Sequence, residues 1–140
     1  MDRLEMFEIA KLIAATFGAL GVAWYWNRVK DRFDKYQYLD ESYSEILRVY
    51  FENPRFGQPE LTAKYAEAFI DSEHWKYHYF AMRVHTFLES VFDMSKGKIR
   101  TDWMYIYRHH ANLHATWLQD HQALHEPGYL NHALGHIQRN

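Results

Sequence analysis

The sequence predicts an all-α protein, in which a single N-terminal transmembrane helix precedes a compact bundle of about four to five helices. An uncharged run from Leu12 to Trp26 indicates the membrane-spanning helix. Beyond it, apolar residues recur at intervals of three and four, which is typical of amphipathic helices. No segment alternates apolar and polar residues as a half-buried strand does. Together these patterns favour helices throughout the chain.

The predicted transmembrane helix covers Ile9–Trp26. Its uncharged part is shorter than the ~20 residues that span a bilayer, but Phe7 and Ile9 extend it toward the N-terminus. Lys11 lies about one turn inside this end, where its long side chain can reach the headgroups. The aromatic cluster that closes the other end is typical of a membrane interface. Because the run is short, a buried helix of a soluble sensor domain is the alternative.

Lysine and arginine flank the predicted anchor unequally, and this bias sets the predicted topology. More basic residues follow the helix than precede it, so the C-terminal domain of this single-pass protein is expected in the cytoplasm. The residues that follow are Arg28, Lys30, Arg32 and Lys35, and those that precede are Arg3 and Lys11. The change from apolar to charged sequence also predicts two domains, with the anchor and its juxtamembrane helix in 1–37 and the bundle in 38–140.

Small residues recur every fourth position along the predicted anchor. Small side chains at this interval allow a second helix to approach closely, which indicates packing against another membrane protein or a second copy of the chain. An alanine-rich span without a partner is the alternative. The residues concerned are Ala14, Ala15, Gly18, Ala19 and Ala23.

Composition excludes several functions. The formal net charge of −2 gives no general attraction to nucleic acid, so no nucleic-acid partner is expected. The absence of cysteine excludes disulfides, thiol nucleophiles and cysteine-ligated metal sites. The expected partners are therefore the lipid bilayer and either another membrane protein or a second copy. No cofactor is expected unless the histidines bind a metal ion.

After the anchor, local signals divide the chain into helices. Asp40 or Ser42 is expected to start the second helix, which Asn53-Pro54 ends because proline disfavours a helical residue before it. A third helix is expected from Pro59 or Glu60, followed by a long one over Glu73–Met94. The core face of that long helix is predicted to contain Tyr77, Ala81, Val84, Leu88 and Val91. The remaining predicted helices run from Thr101 to about His125 and over Tyr129–Ile137.

Ten histidines are the chemical peculiarity of this sequence. Two imidazoles separated by one helical turn can chelate a metal ion, and a carboxylate from a facing helix can complete the site. The candidate ligands are His85, Glu89, His110 and His114, with His78 and His121 as substitutes. Iron, zinc or a haem bound by two histidines would suit such ligands. The alternatives are hydrogen-bonded histidines in a helix interface, and pH sensing.

Several short segments carry a family resemblance. They are Tyr43–Phe56 (YSEILRVYFENPRF), Phe87-Leu88-Glu89 and Ile99–Trp103 (IRTDW), together with Trp117. In these segments the chain resembles a loose group of uncharacterised bacterial proteins with one N-terminal membrane span and a compact helical domain. The resemblance implies an anchored helical bundle, and it implies no activity because that group has none assigned.

The sequence therefore predicts a membrane-anchored structural or interaction protein, an accessory subunit or adaptor of a membrane complex. The alternative is a histidine-rich metal-binding domain with a redox or sensor role. No catalytic triad, phosphate-binding loop or paired-carboxylate motif is present in the sequence, which favours a non-enzymatic protein.

Overall fold

Helices account for all the regular secondary structure that the computed structural model describes, namely the backbone of residues 3–137 and the side chains of residues 8 and 11–137. The predicted all-α class is confirmed, since no strand occurs in this range. The α-helices are α1 (Arg3–Glu52), α2 (Pro59–Thr62), α3 (Tyr65–Ala68), α4 (Asp71–Met94), α5 (Thr101–Leu113), α6 (Ala115–Asp120) and α7 (Pro127–His136), and two 3₁₀ turns cover Pro54–Gly57 and Gln122–Leu124.

Helix α1 is one continuous element of 50 residues. The second helix that was expected to begin at Asp40 or Ser42 is therefore wrong, because the chain stays helical through these positions. No glycine or proline interrupts the sequence between Gly21 and Pro54. The hydroxyl of Ser44 bonds the carbonyl of Asp40 within the helix at 2.8 Å. Helix α1 ends as predicted, immediately before Asn53-Pro54.

The predicted transmembrane helix is wrong. Among the helices in the described part of the chain, none combines the length and the apolar character needed to cross a membrane. The uncharged run ends at Trp26, and ionised side chains lie on both sides of it, with Lys11 paired to Glu8 at 3.1 Å and Arg28 over the ring of Trp24. The side chains of Phe7 and Ile9, which were expected to extend the run, lie outside the described residues.

The predicted topology is wrong for the same reason. An excess of lysine and arginine after a helix indicates a cytoplasmic domain only where that helix crosses a bilayer. Without such a helix, the charge bias between the two ends of the run carries no information about the location of the protein.

Contacts divide the chain into two units, Met1–Tyr38 and Leu39–Asn140. Within the first unit, every side chain over residues 11–38 is exposed to solvent. The second unit has a core that is rich in aromatic side chains. Its largest fully buried side chains include Trp117, Tyr77, Tyr107, Tyr129, Phe56 and Phe69.

Helix α4 forms the centre of the second unit. The predicted core face of this helix is confirmed, because Tyr77, Ala81, Val84, Leu88 and Val91 are all buried. Helices α3, α5, α6 and α7 each pack against α4, and α7 also packs against α5. This arrangement surrounds one face of a long helix with apolar side chains from all of its neighbours, which is how a small domain obtains a single core.

The helix predicted from Thr101 to about His125 is divided into α5, α6 and the 3₁₀ turn Gln122–Leu124. Helix α5 ends at Leu113, and α6 begins at Ala115, because His114 between them has a non-helical backbone (φ −111°, ψ 26°). Similarly, the predicted third helix consists of the two short helices α2 and α3. Between α4 and α5 the chain turns at Lys96 and Gly97, where φ is +52° and +76°, and glycine suits such a left-handed turn.

Candidate functional site

Two helices contribute a set of polar rings to the core of the second unit. Tyr43 and Tyr50 are seven residues apart on α1, so they lie on the same face two turns apart. His110 and His114 are one turn apart at the end of α5, and both imidazoles are buried. The spacing of each pair directs all four rings into the same part of the core.

The polar rings form a continuous hydrogen-bonded network. The hydroxyl oxygen of Tyr50 lies 3.0 Å from Nδ1 of His110 and 2.6 Å from Nε2 of His114. Nε2 of His110 lies 3.3 Å from the hydroxyl of Tyr43. Nδ1 of His114 lies 2.8 Å from the hydroxyl of Tyr77 on α4. These five residues, Tyr43, His110, Tyr50, His114 and Tyr77, are called the His–Tyr network below.

The network has one favourable direction. The Tyr77 hydroxyl is buried and has no acceptor in the described part of the chain other than His114, so it donates to Nδ1. A neutral His114 then carries its proton on Nε2 and donates to Tyr50, which in turn donates to Nδ1 of His110. His110 donates to the hydroxyl of Tyr43, a half-buried residue. This direction gives every buried donor an acceptor, as buried polar groups require.

His85 joins α4 to the break between α5 and α6. Its Nε2 lies 3.1 Å from the carbonyl oxygen of His114, which can only accept, so Nε2 carries the proton. Its Nδ1 therefore accepts from the hydroxyl of Tyr129 on α7 at 2.7 Å. The imidazole also stacks on Trp117 with an interplanar angle of 9°. His85 thus connects α4 with two other parts of the core through fixed hydrogen bonds.

Burial keeps these rings uncharged near neutral pH. Removal from water lowers the pKa of His85 to about 3 and that of His110 to about 3, because a buried imidazolium loses its hydration. Burial likewise holds the pKa of His114 well below its ordinary value, and neighbouring histidines add to this effect. Burial also raises the pKa of the Tyr50 and Tyr77 hydroxyls. The network is therefore a set of neutral donors and acceptors.

Glu89 forms a second polar cluster with the segment that precedes α7. One carboxylate oxygen accepts from Nδ1 of His125 at 2.9 Å, and the other accepts from the backbone amide of Glu126 at 2.9 Å. Both oxygens of the half-buried Glu89 carboxylate therefore have a donor from this segment. Nε2 of His125 is the one buried side-chain nitrogen or oxygen without a partner among the residues described.

The four predicted metal ligands do not form a common set. His110 and His114 meet at the Tyr50 hydroxyl, His85 bonds the backbone of His114, and Glu89 bonds His125 instead. Among the side chains that the structure describes, no three of the histidine, aspartate or glutamate type are grouped so that they could hold a metal ion.

The two predicted substitutes lie beside Trp117 instead. Nδ1 of His78 accepts from the indole nitrogen of Trp117 at 3.2 Å. Nδ1 of His121 bonds the carbonyl of Trp117 at 2.8 Å, and its ring stacks on the same indole. The rings of His78 and His121 are close, with centroids 4.9 Å apart. Nδ1 of His78 and Nδ1 of His121 are therefore each hydrogen-bonded to Trp117.

Sequence reasoning overlooked the tyrosines that complete these contacts. Tyr77 was assigned to the core face of its helix, yet its hydroxyl and that of Tyr50 bind the histidines. His125 and Tyr129 were also overlooked, and they hold Glu89 and His85 respectively. The available signal was the frequency of tyrosine on helix faces that also carry histidine, because a buried imidazole needs partners for two nitrogens.

A separate candidate site lies on the first unit. The segment from Leu12 to Phe33, called the apolar stretch below, exposes large apolar side chains on all sides of α1. Phe17 retains 71% of its surface, Trp26 63% and Phe33 68%. The row of small residues predicted to pack against another helix lies within this stretch and is also exposed; its members are Ala14, Ala15, Gly18, Ala19 and Ala23. Exposed apolar surface of this extent marks an interaction site in most proteins.

Comparisons with known proteins give no relative for this chain. No protein-family model, curated protein or solved structure matches it. The resemblance of Tyr43–Phe56 and the other short segments to uncharacterised bacterial proteins therefore stays a prediction, and the sites have to be interpreted from their own geometry.

Replacing Tyr50 tests the His–Tyr network. We expect Tyr50→Phe to lower the free energy of unfolding by roughly 2–4 kcal/mol, because it leaves ring nitrogens of His110 and His114 unpaired in the core. The measurement is urea unfolding followed by circular dichroism at pH 7.5. As a matched control, Tyr105→Phe removes a hydroxyl from a 78% exposed side chain and should change stability by less than about 0.5 kcal/mol. Equal effects of the two changes would contradict the network.

Acid should unfold this protein at a mild pH. The unfolded chain binds protons on His85 and His110 below about pH 6.5, whereas the folded chain does so only near pH 3. Stability is therefore complete above pH 6.5 and falls as the pH falls, by roughly 2 kcal/mol for each of these two residues at pH 5. His114 acts in the same direction. Urea unfolding at pH 7.5, 6 and 5 measures the loss, and a constant free energy over this range would contradict it.

Elemental analysis tests the metal hypothesis directly. We expect the full chain, purified without a histidine tag, to carry iron and zinc only in substoichiometric amounts, because hydrogen bonds already occupy the facing nitrogens of His85, His110 and His114. The measurement is inductively coupled plasma mass spectrometry. Stoichiometric metal that is lost from a His110→Ala/His114→Ala variant would show instead that these histidines are ligands.

Proposed function

We propose that this chain is a helical interaction protein, an accessory subunit or adaptor that joins a protein assembly through the apolar stretch of α1. The observation that carries this proposal is the exposure of the whole stretch. Ten large apolar side chains over residues 12–33 are exposed to water, and nine of them retain more than half of their surface.

The physical cost of this exposure supports an interaction partner. Burying apolar surface is worth roughly 25 cal/mol per Å², and a single large apolar side chain gains about 1.5–3 kcal/mol when it is fully buried. A helix that is apolar on every side is stable in water only when other groups cover it. The side chains at Leu12, Phe17 and Phe33 each expose more than two thirds of their surface. A protein that binds this stretch recovers that free energy.

The second unit supports a non-enzymatic role. Buried histidines of this unit form hydrogen bonds between helices. His85, for example, joins α4 to the carbonyl of His114. Burial lowers the pKa of His85, His110 and His114, so these three histidines are neutral near pH 7. The tyrosines Tyr50 and Tyr77, which bond His110 and His114, have raised pKa values because they are buried. Such groups stabilise a particular arrangement of helices, which is what an adaptor needs.

A charge within the apolar stretch should abolish assembly. We expect Val22→Lys to remove the complexes that wild-type protein forms in its native cells, because burying the lysine in an interface would cost several kcal/mol. Complexes are fixed with a cleavable cross-linker and their sizes compared on denaturing gels. The control Leu124→Lys places the same charge on a residue of similar exposure, 55% against 57% for Val22. Identical complexes for wild type and Val22→Lys would overturn the proposal.

A further inference from the structure

Apolar residues of the first unit form a continuous seam with coiled-coil spacing. They alternate by three and four over more than three heptads, and an apolar repeat of 3.5 residues per turn is the signature of helices that pack along each other. The seam consists of Leu12, Ala15, Ala19, Val22, Trp26, Val29, Phe33 and Tyr36. All eight side chains are exposed in the single chain.

Residue sizes along the seam decide how a second seam fits against it. When the helix is paired with an antiparallel copy of itself about an axis beside residue 24, the inner layers combine a small side chain with a larger one, and Leu12 faces Tyr36 of the second copy at each end. Ala15 faces Phe33 of the second copy, Ala19 faces Val29, and Val22 faces Trp26. A parallel pair would instead place Trp26 against Trp26 and alanine against alanine. Facing large and small residues fill space without voids, so the antiparallel pair packs better.

Charges beside the seam are compatible with this pairing. Lys30 and Arg32 flank the seam on opposite sides. In the antiparallel pair Lys30 approaches Thr16 of the second copy and Arg32 approaches Gly18, and both of these neighbours are uncharged. The space around Gly18 is open, since nothing lies within 4 Å of the position that a Cβ would occupy. The long side chain of Arg32 can therefore lie across it with its guanidinium in water.

The available area matches that of a specific interface. Eight seam side chains, three of them aromatic, offer roughly 100 Å² each, or about 800 Å² per copy. This is the standard contribution of one partner to a stable protein–protein interface.

We propose that the occupant of the apolar stretch is a second copy of this chain, paired antiparallel along the Leu12–Tyr36 seam. This inference rests on the proposed function, since it identifies the partner that covers the same stretch.

Sedimentation equilibrium of the pure full chain in detergent-free buffer tests the pairing. We expect a mass of about twice 17.0 kDa. Ala19→Glu, which places a charge in the seam, should weaken the dimer at least 100-fold, whereas Ala14→Glu on the neighbouring face should change its dissociation constant less than about threefold. A wild-type monomer would overturn the inference, and so would a dimer that Ala19→Glu does not weaken.

Cysteine cross-linking tests the orientation, and the absence of natural cysteine makes it unambiguous. In the antiparallel pair the two copies of residue 23 lie beside each other, so Ala23→Cys should form an intermolecular disulfide. The two copies of residue 19 are then about 15 Å apart along the axis, so Ala19→Cys should not. A parallel pair reverses both results and would overturn the inference.

Other outcomes separate this inference from the proposed function. If the pure chain is monomeric but Val22→Lys still removes complexes in cells, the partner is a different protein and only the self-pairing fails. If no complex depends on the stretch, the proposed function fails as well. A pure monomer that floats with phosphatidylcholine vesicles would show that lipid covers the stretch, and would overturn the pairing.

Discussion

The hydroxyl group of Tyr50 is the contact on which the arrangement of the second unit depends. It lies between two buried imidazoles, and it is the only member of the His–Tyr network that bonds both His110 and His114 among the residues described. Because Tyr50 belongs to α1, His110 to α5 and His114 to the break that follows α5, this single oxygen fixes the distance between α1 and the end of α5. The stacked rings of Tyr50 and His110, with centroids 5.5 Å apart, leave little freedom for an alternative.

A core that contains hydrogen-bonded histidines and tyrosines determines the packing of its helices in a different way from a purely aliphatic core. Apolar side chains tolerate exchanges of similar volume, since their attraction has no direction. Hydrogen bonds to ring nitrogens have a direction, and a buried nitrogen without a partner costs about 1–3 kcal/mol. The second unit therefore combines a non-directional aromatic core with a small number of directional contacts at His85, His110 and His114, which together favour one packing of α1, α4 and α5.

Much of the second unit could be predicted from the sequence. The buried face of α4, the end of α1 at Asn53-Pro54 and the all-α class follow from apolar spacing and from proline, which are local signals. The break at His114 could not be predicted in this way, because no glycine or proline marks it, and the bond from His85 on α4 to the carbonyl of His114 is a non-local contact. The hydrogen bond between Glu89 and His125 could not be predicted either, because His125 lies far along the chain, in the segment that precedes α7.

The error at the N-terminal end has a different cause. The run from Leu12 to Trp26 is apolar enough to suggest a bilayer, and the same composition suits a helix covered by other helices. Local sequence does not distinguish the two cases, because both require apolar side chains on every face. Beyond this run, Val29, Phe33 and Tyr36 continue the apolar spacing among charged residues, and such spacing occurs in helices that pack along other helices.

The direction of hydrogen bonding in the His–Tyr network has an evolutionary consequence. Donation starts at the buried Tyr77 and passes through each ring toward Tyr43, so the proton position on every member depends on its neighbour. A change at one position alters what the next position must donate or accept. Tyr50, Tyr77, His110 and His114 should therefore be inherited together or replaced together by apolar residues, and diverged descendants of this chain should rarely keep only one of the four.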